Sequence, residues 1–202
     1  NGQTQDELYV VIVNAASVAR VYYAGDFAPN ANRLPTCWSL DTRYPASEVV
    51  ESEKQSAVCL NCTQNIRGSA RGGSGRACRY FQYLAVVPMD DLETVYRLQV
   101  PAASIFGKAN NNRMSLGAYS QFLAKHGTSS FAVVTRIFFD NTYVMPKLCF
   151  AAERALEEEE LVVARQMIDH QDSLEAITFR LPAVNKSPFS VTEGFVFNNG
   201  DK

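Results

Sequence analysis

Four of the five cysteines have the spacing of a metal site. Cys59 and Cys62 form a C-x-x-C pair, Cys78 follows 16 residues later, and Cys37 lies upstream. A turn of this length lets two thiolates converge on one zinc ion, and two more ligands complete a tetrahedron. We therefore expect structural zinc, with these four cysteines as its candidate ligands. Cys149 lies in the apolar stretch MPKLCFAA and is expected to be a small core residue.

Other uses of cysteine fit the sequence less well. A lone C-x-x-C pair also occurs in redox proteins, but the strand-to-helix context of thioredoxin-like motifs is missing. The odd cysteine count and the lack of a secretion signal argue against disulfides. A catalytic zinc usually has histidine or carboxylate ligands, and the only histidines are His126 and His170, both in predicted helices. We predict no catalytic residues and no enzymatic activity.

Charge is distributed unevenly along a chain whose formal net charge is −2. Residues 54–89 contain no Asp or Glu, and their basic side chains are Lys54, Arg67, Arg71, Arg76 and Arg79. Residues 153–175, by contrast, are dense in acid and include the run EEEE. This asymmetry predicts a positive patch for an anionic partner; the alternative is a solvated loop whose arginines make no specific contact.

Hydrophobic periodicity predicts a β-rich chain with two helices. Residues that are β-branched or aromatic predominate in six predicted strands, which are 7–14, 17–25, 80–88, 94–101, 131–140 and 145–152. The spacing of apolar residues predicts helices over 115–127 and 157–171. Residues 29–78 show little periodicity, so this segment would need a metal ion to hold its fold.

The order of these elements favours a single domain over residues 1–202. We expect a mainly β (α+β) fold, an OB-like Greek-key barrel with an inserted cysteine-rich zinc-binding segment at 29–78 and two helices. Residues 184–202 are predicted to form a flexible C-terminal extension. The apolar runs are too short to cross a bilayer and no signal pattern opens the chain, so a soluble, non-secreted protein is expected.

A barrel of this kind binds single strands by stacking bases on aromatic rings while cations follow the phosphates. Side-chain alternation puts Phe81 and Tyr83 on one face of their strand and Tyr80 on the other, and one of these faces is expected to be wet. Any single aromatic ring is more often a core residue than a stacking one. The predicted nucleic-acid contacts are Arg67, Arg71, Arg76, Arg79, Trp38, Tyr80, Phe81, Tyr83, Arg136 and Phe138.

The segments VVIVNAASVARVYY, PTCWSLDTRYP, CLNCTQNIRGSARGGSGRACR and VVTRIFFD together resemble a family of bacteriophage single-stranded-DNA-binding proteins. The resemblance spans roughly residues 8–165 and is most specific in the cysteine, glycine and arginine block. It implies an OB-like core, and it implies that the zinc ligands are Cys37, Cys59, Cys62 and Cys78. It further implies a loop framework of Asn65, Gly68, Ser69 and Gly75, with Arg76 and Arg79 near the ligand.

The sequence thus predicts a non-catalytic single-stranded-DNA-binding protein that coats exposed strands during phage replication or recombination, in the cytoplasm of the bacterial host. Many proteins of the family contact polymerase or helicase through a long acidic tail; this chain ends in VFNNGDK, and the acidic residues 157–172 are the other candidate for that contact. No membrane partner is expected, and homo-oligomerisation is left open. The alternative is a zinc-stabilised phage regulatory or structural module that contacts a protein and has no DNA affinity. A nuclease ranks last, because no recognisable motif joins Asp26, Asp41, Asp90 and Asp91.

Overall fold

The computed structural model describes residues 7–25, 34–110, 112–142 and 147–181. The strands in these ranges are β1 (Glu7–Ala15), β2 (Ala19–Tyr22), β3 (Cys37–Ser39), β4 (Arg79–Pro88), β5 (Tyr96–Pro101), β6 (Val133–Asp140) and β7 (Lys147–Ala155). The α-helices are α1 (Ala102–Ile105), α2 (Leu116–Lys125), α3 (Glu158–Ile168) and α4 (Gln171–Ile177). All the strands belong to one antiparallel sheet.

The first two strands behave as one interrupted strand. β1 pairs with the second half of β4 and β2 with its first half, on either side of a break at residues 16–18. The other edge of β1 pairs with β6, and the other edge of β2 pairs with β3. When β1 and β2 are counted as one strand and the three-residue β3 is set aside, the order β5-β4-β1-β6-β7 places the first three strands side by side and returns the fourth, β6, beside the first, as in a Greek key.

Apolar residues cover both faces of the sheet because successive side chains of a strand point to opposite sides. On the face that we call the α2 face, β1 and β4 contribute Val10, Ile12, Leu84 and Val86, which pack with α1 and α2. On the opposite α3 face they contribute Val11, Val13, Ala85 and Val87, which pack with α3 and α4. The sheet is therefore the middle layer between two pairs of helices.

A third, smaller core lies at the N-terminal end of β4, where the chain between β2 and β4 folds back on the sheet. This chain, residues 34–78 in the described part, is named the insertion. Its core consists of Ala19, Val21, Trp38, Val49 and Phe81. Phe179, just beyond α4, packs on it, with its ring centroid 6.1 Å from that of Trp38 and 5.9 Å from that of Phe81.

The predicted mainly β, α+β class is confirmed, and each of the six predicted strands and two predicted helices has a counterpart within a few residues. Strand β3 and helices α1 and α4 were not predicted. The predicted C-terminal extension, 184–202, and the first residues of the predicted insertion, 29–33, lie outside the described residues. None of the helices in the described ranges has the length and apolar character that crossing a membrane requires.

Candidate functional site

The four cysteines with metal-site spacing lie around one small cavity. Cys37 begins β3, Cys59 begins a 3-10 turn, Cys62 directly follows that turn, and Cys78 directly precedes β4. All four line a cavity of about 20 Å³, which has room for one water molecule or an ion of similar size. The structure thus brings together residues that are as much as 41 positions apart in sequence, from Cys37 to Cys78.

Hydrogen bonds fix the turn of residues 59–62, named the knuckle, and the chain that follows it. The amide of Cys78 donates to the carbonyl of Gln64 over 2.8 Å, and the amide of Cys59 donates to Arg43 over 2.8 Å. The side-chain amide of Asn65 donates to the carbonyl of Cys59 over 3.1 Å. Two long-range links and one local one therefore fix the positions of Cys59 and Cys78 independently of any bond between the thiols.

Burial raises the pKa of two of these thiols, Cys78 and Cys37, and so favours their protonated form when no cation is present. It raises the pKa of Cys78 to about 12, and burial is also the main cause that raises the pKa of Cys37. The other thiols of the cavity add to both shifts, because two thiolates in one cavity repel each other. A metal ion that binds here would have to displace these protons, as metals do at thiol sites generally.

Arg20 is the one charged side chain among the buried residues around this cavity in the described ranges. It is only 6% exposed, lies 4.3 Å from the Tyr80 ring centroid, and donates to the Tyr80 hydroxyl and to the carbonyl of Cys59, the latter over 3.4 Å. Its Nε has no hydrogen-bond partner, and none of the ion pairs of the described residues includes Arg20. A buried guanidinium without an anion is costly, and the Cys78 thiolate is the anion that it would favour.

No group of three or more His, Cys, Asp or Glu side chains in the described part of the chain is already arranged to hold a metal ion. The predicted zinc site therefore stays a prediction. Two observations match a zinc ion: the donor set is four thiols around one cavity, and the ion pairs among the described residues do not include Arg20, whose Nε lacks a hydrogen-bond partner. Four thiolates around Zn²⁺ carry a net charge of about −2, which would supply an anion for Arg20.

The predicted basic residues of the insertion lie on the surface beside the knuckle. Arg67, Arg71 and Arg76 are exposed in the loop 66–76, named the arginine loop, and Arg79 is exposed at the start of β4. The loop is closed by the amide of Gly68, which donates to Gly75 over 2.8 Å, at a positive φ of 90° that favours glycine. The Arg76 Nε donates to the carbonyl of Asn65 over 2.7 Å, which ties the loop to the residue whose side chain contacts Cys59.

Three of the predicted stacking residues have covered rings. Trp38 and Phe81 are 7% and 4% exposed in the core of the insertion. The Tyr83 ring lies between Phe81, at 5.0 Å, and the guanidinium of Arg97, at 4.7 Å. Phe179 and Arg97 thus cover Phe81 and Tyr83 on one face of this strand, whereas Tyr80 and Gln82 on the other face are half-buried and Leu84 belongs to the α2-face core.

Arg136 and Phe138 lie away from the knuckle. On the sheet, Arg136 pairs with Tyr9 in β1, whereas Arg79 pairs with Val21 in β2. Because β1 and β2 continue each other as one interrupted strand, the two sites lie on the order of 30 Å apart along the strand direction. Arg136 lies 4.7 Å from the Phe138 ring and forms ion pairs with Glu7 at 3.3 Å and Glu153 at 3.9 Å. Its charge is already matched by carboxylates, so this pair is a weaker candidate for phosphate contact.

Two residues at the site were not predicted from the sequence. Arg20 could have been found as a charge in the middle of the apolar stretch SVARVYY. Phe106 follows α1, and its exposed ring packs edge-on against Tyr80 with 5.2 Å between ring centroids. A helix of four residues gives no periodic signal, so the position of Phe106 could not be inferred from spacing.

Comparisons with known proteins do not assign a family. No protein-family model, no curated protein and no solved structure matches the chain. The resemblance to phage single-stranded-DNA-binding proteins therefore remains a prediction, and function is inferred from the residues of the site alone.

Proposed function

We propose that this chain is a non-catalytic single-stranded-DNA-binding protein of a bacteriophage, built on an OB-like barrel with a zinc-stapled insertion. The observation that carries the proposal is the acid-free segment 54–89, which presents four exposed arginines, Arg67, Arg71, Arg76 and Arg79, and also supplies three of the four cysteines around the cavity. The Greek-key strand order supports the OB-like interpretation, and so does the position of α2 between β5 and β6, which are the third and fourth strands of that order. In such folds the first long loop, here the insertion, is a nucleic-acid contact.

Zinc would have a structural role in this proposal. Cys37, Cys59, Cys62 and Cys78 would hold it, and it would supply a cross-link between β3, the knuckle and the start of β4. The insertion needs such a link because it buries little apolar surface of its own. It contributes only Trp38 and Val49 to the buried third core, and Cys37 and Ala46 pack against that core. Arg20 would then pair with the negative metal cluster.

DNA binding would be mainly electrostatic. The arginine loop is exposed and is tied to Asn65 by Arg76, so its guanidinium groups can reach phosphates without a large rearrangement. Each phosphate that is neutralised releases a counterion, so affinity falls steeply with salt. Base stacking on aromatic rings adds to this without strong sequence preference.

The test is fluorescence anisotropy with a labelled oligothymidine and a matched duplex at several salt concentrations. We expect tight, salt-sensitive binding to the single strand and much weaker binding to the duplex. Replacing Arg67, Arg71, Arg76 and Arg79 by alanine should reduce the salt slope by about 0.7 for each phosphate that is no longer neutralised. The control replaces Arg165 and Arg180, which are exposed on α3 and beyond α4, and should bind like the wild type. Absence of single-strand binding at low salt would refute the proposal.

A protein-interaction module is the second candidate, because the knuckle region exposes apolar side chains. Leu60 is 79% exposed and Ile66 is 60% exposed, and both flank the cysteines. A surface with exposed apolar side chains among basic residues is also suited to contact with another protein. This candidate predicts that the intact protein has no DNA affinity at low salt. Contact with a phage polymerase or helicase through the acidic residues 157–172 stays a proposal compatible with either candidate.

A further inference from the structure

The exposed ring of Phe106 is the starting observation. Phe106 follows α1 on the α2 face and is 52% exposed, although its neighbours Ser104 and Ile105 are buried. Its ring meets the half-buried Tyr80 ring nearly at right angles, at 83° and 5.2 Å between centroids. The two rings therefore form one aromatic surface with an uncovered side.

A rigid frame holds Phe106 in this position. The amide of Phe106 donates to Ala102 over 3.1 Å, and the hydroxyl of Ser115 donates to the carbonyl of Gly107 over 2.9 Å. Helix α2 approaches α1 so closely that a Cβ at Gly117 would lie 3.1 Å from the carbonyl oxygen of Ile105. An aromatic ring that is exposed on a fixed backbone is preorganised for a ligand, since binding costs little ordering.

The aromatic surface continues into the candidate site. Tyr80 stacks with Arg20, and Arg20 donates to the carbonyl of Cys59 in the knuckle. The chain around Phe106 is also free of acid, because residues 94–139 contain no Asp or Glu. The exposed Lys108 follows Phe106 by two positions. An aromatic surface flanked by an exposed cation matches what an unpaired nucleotide requires, a ring for the base and a charge for the phosphate.

We propose that Phe106 and Tyr80 form a base-stacking platform and that Lys108 contacts the phosphate of the same strand. A single strand would then run from the arginine loop across the end of the α2 face to the connection between α1 and α2. This inference rests on the proposed function, since it names base contacts of that site. In this proposal Phe106 and Tyr80 stack on bases, in place of Trp38 and Phe81, whose rings are covered.

The test uses Phe106→Ala and Phe106→Leu, because leucine keeps apolar bulk but removes the ring. Affinity is measured for oligothymidine and for an abasic oligomer of equal length, which offers phosphates without bases. We expect both variants to lose about 5- to 150-fold in affinity for oligothymidine, with an unchanged salt slope and unchanged affinity for the abasic oligomer. Lys108→Ala should weaken binding to both oligomers and reduce the salt slope by about 0.7.

The control is Tyr96→Ala, which removes a ring that is 54% exposed at the opposite end of β4 and should leave binding unchanged. Thermal unfolding of every variant checks that the fold is intact. If wild-type protein does not bind the single strand, the proposed function fails. If wild-type protein binds and both Phe106 variants bind equally well, only the platform is refuted. Equal losses for oligothymidine and the abasic oligomer would also refute it, because a stacking contact needs a base.

Discussion

Arg20 shows how one side chain can connect the sheet, the knuckle and the aromatic platform. Its guanidinium lies over Tyr80, donates to Cys59 and leaves Nε without a partner, all inside a core where charge is normally excluded. An apolar residue would fill the same space without the cost of burying a charge. The presence of arginine is therefore explained best by an anion at the thiol cavity.

This explanation predicts that Arg20→Gln lowers zinc affinity. Glutamine can still donate to the carbonyl of Cys59, but it has no charge to pair with the metal cluster. We expect about a 10- to 100-fold loss, the usual effect of removing a partner of the metal ligands. Competition with a chromophoric chelator measures it. The control Arg97→Gln removes another arginine stacked on a tyrosine, Tyr83, and should not change zinc affinity. Equal zinc affinity for Arg20→Gln and wild type would contradict the pairing.

The residues of the site were unequally predictable from the sequence. The cysteines and the arginine loop could be found because their chemistry is expressed in spacing and in the absence of acid, and both are local properties. The aromatic residues could not be ranked, because burial of Trp38 and Phe81 depends on Phe179, which is 98 positions beyond Phe81. Alternation along a strand predicts which side chains share a face, but it does not predict what covers that face.

At the scale of elements, the Glu160 carboxylate ties the first turn of α3 to the end of β7. Glu160 accepts two hydrogen bonds from the Arg154 guanidinium, both over 2.7 Å, and a third from the amide of Glu157 over 2.9 Å. These bonds, with the Arg154 contacts first, lower the pKa of Glu160 to about 2. They join the end of β7 to the start of α3, so the helix is positioned over β1.

We predict that Glu160→Gln destabilises the protein at neutral pH by about 1 kcal/mol, the usual cost of losing such a cap. Because the folded pKa is lowered, this stability is present above pH 4.5 and is lost as the pH falls through about 2. The difference from wild type should therefore shrink between neutral pH and pH 2, as measured by urea unfolding. Glu159→Gln, exposed in the same turn, should lose only a few tenths of a kcal/mol. A difference that is constant with pH would contradict the assignment.

The long elements were predictable, and the elements that were not predicted are all short. Strands β1, β4 and β6 and helices α2 and α3 each span eight residues or more, so their apolar periodicity is visible in sequence. Strand β3 has three residues, α1 has four and α4 has seven. Helices this short are not stable by themselves and form because they pack on the sheet, so local propensity does not reveal them.

At the scale of the whole molecule, the three cores differ in their dependence on the thiols. The two large cores on the α2 and α3 faces contain none of the four cysteines that line the cavity, whereas the small third core contains Trp38 and is bordered by Cys37. Trp38 is the only tryptophan in the chain, so its fluorescence reports on the insertion alone. The helices, in contrast, all pack on the two large cores and determine the far-ultraviolet circular dichroism.

This separation predicts that removing zinc unfolds the insertion and leaves the sheet and helices intact. With a strong chelator, Trp38 emission should shift to the red, because its ring loses the packing that now leaves it 7% exposed. Helical circular dichroism should change little, since about 25 cal/mol for each Å² of apolar surface still stabilises the two large cores. Trypsin should then cut first at Arg67, Arg71 or Arg76.

Cys149→Ser, outside the knuckle, is the control and should respond to the chelator as the wild type does. If the chelator left Trp38 emission unchanged, zinc would not be the staple of the insertion; if emission and circular dichroism changed together, the insertion and the sheet would unfold as one unit.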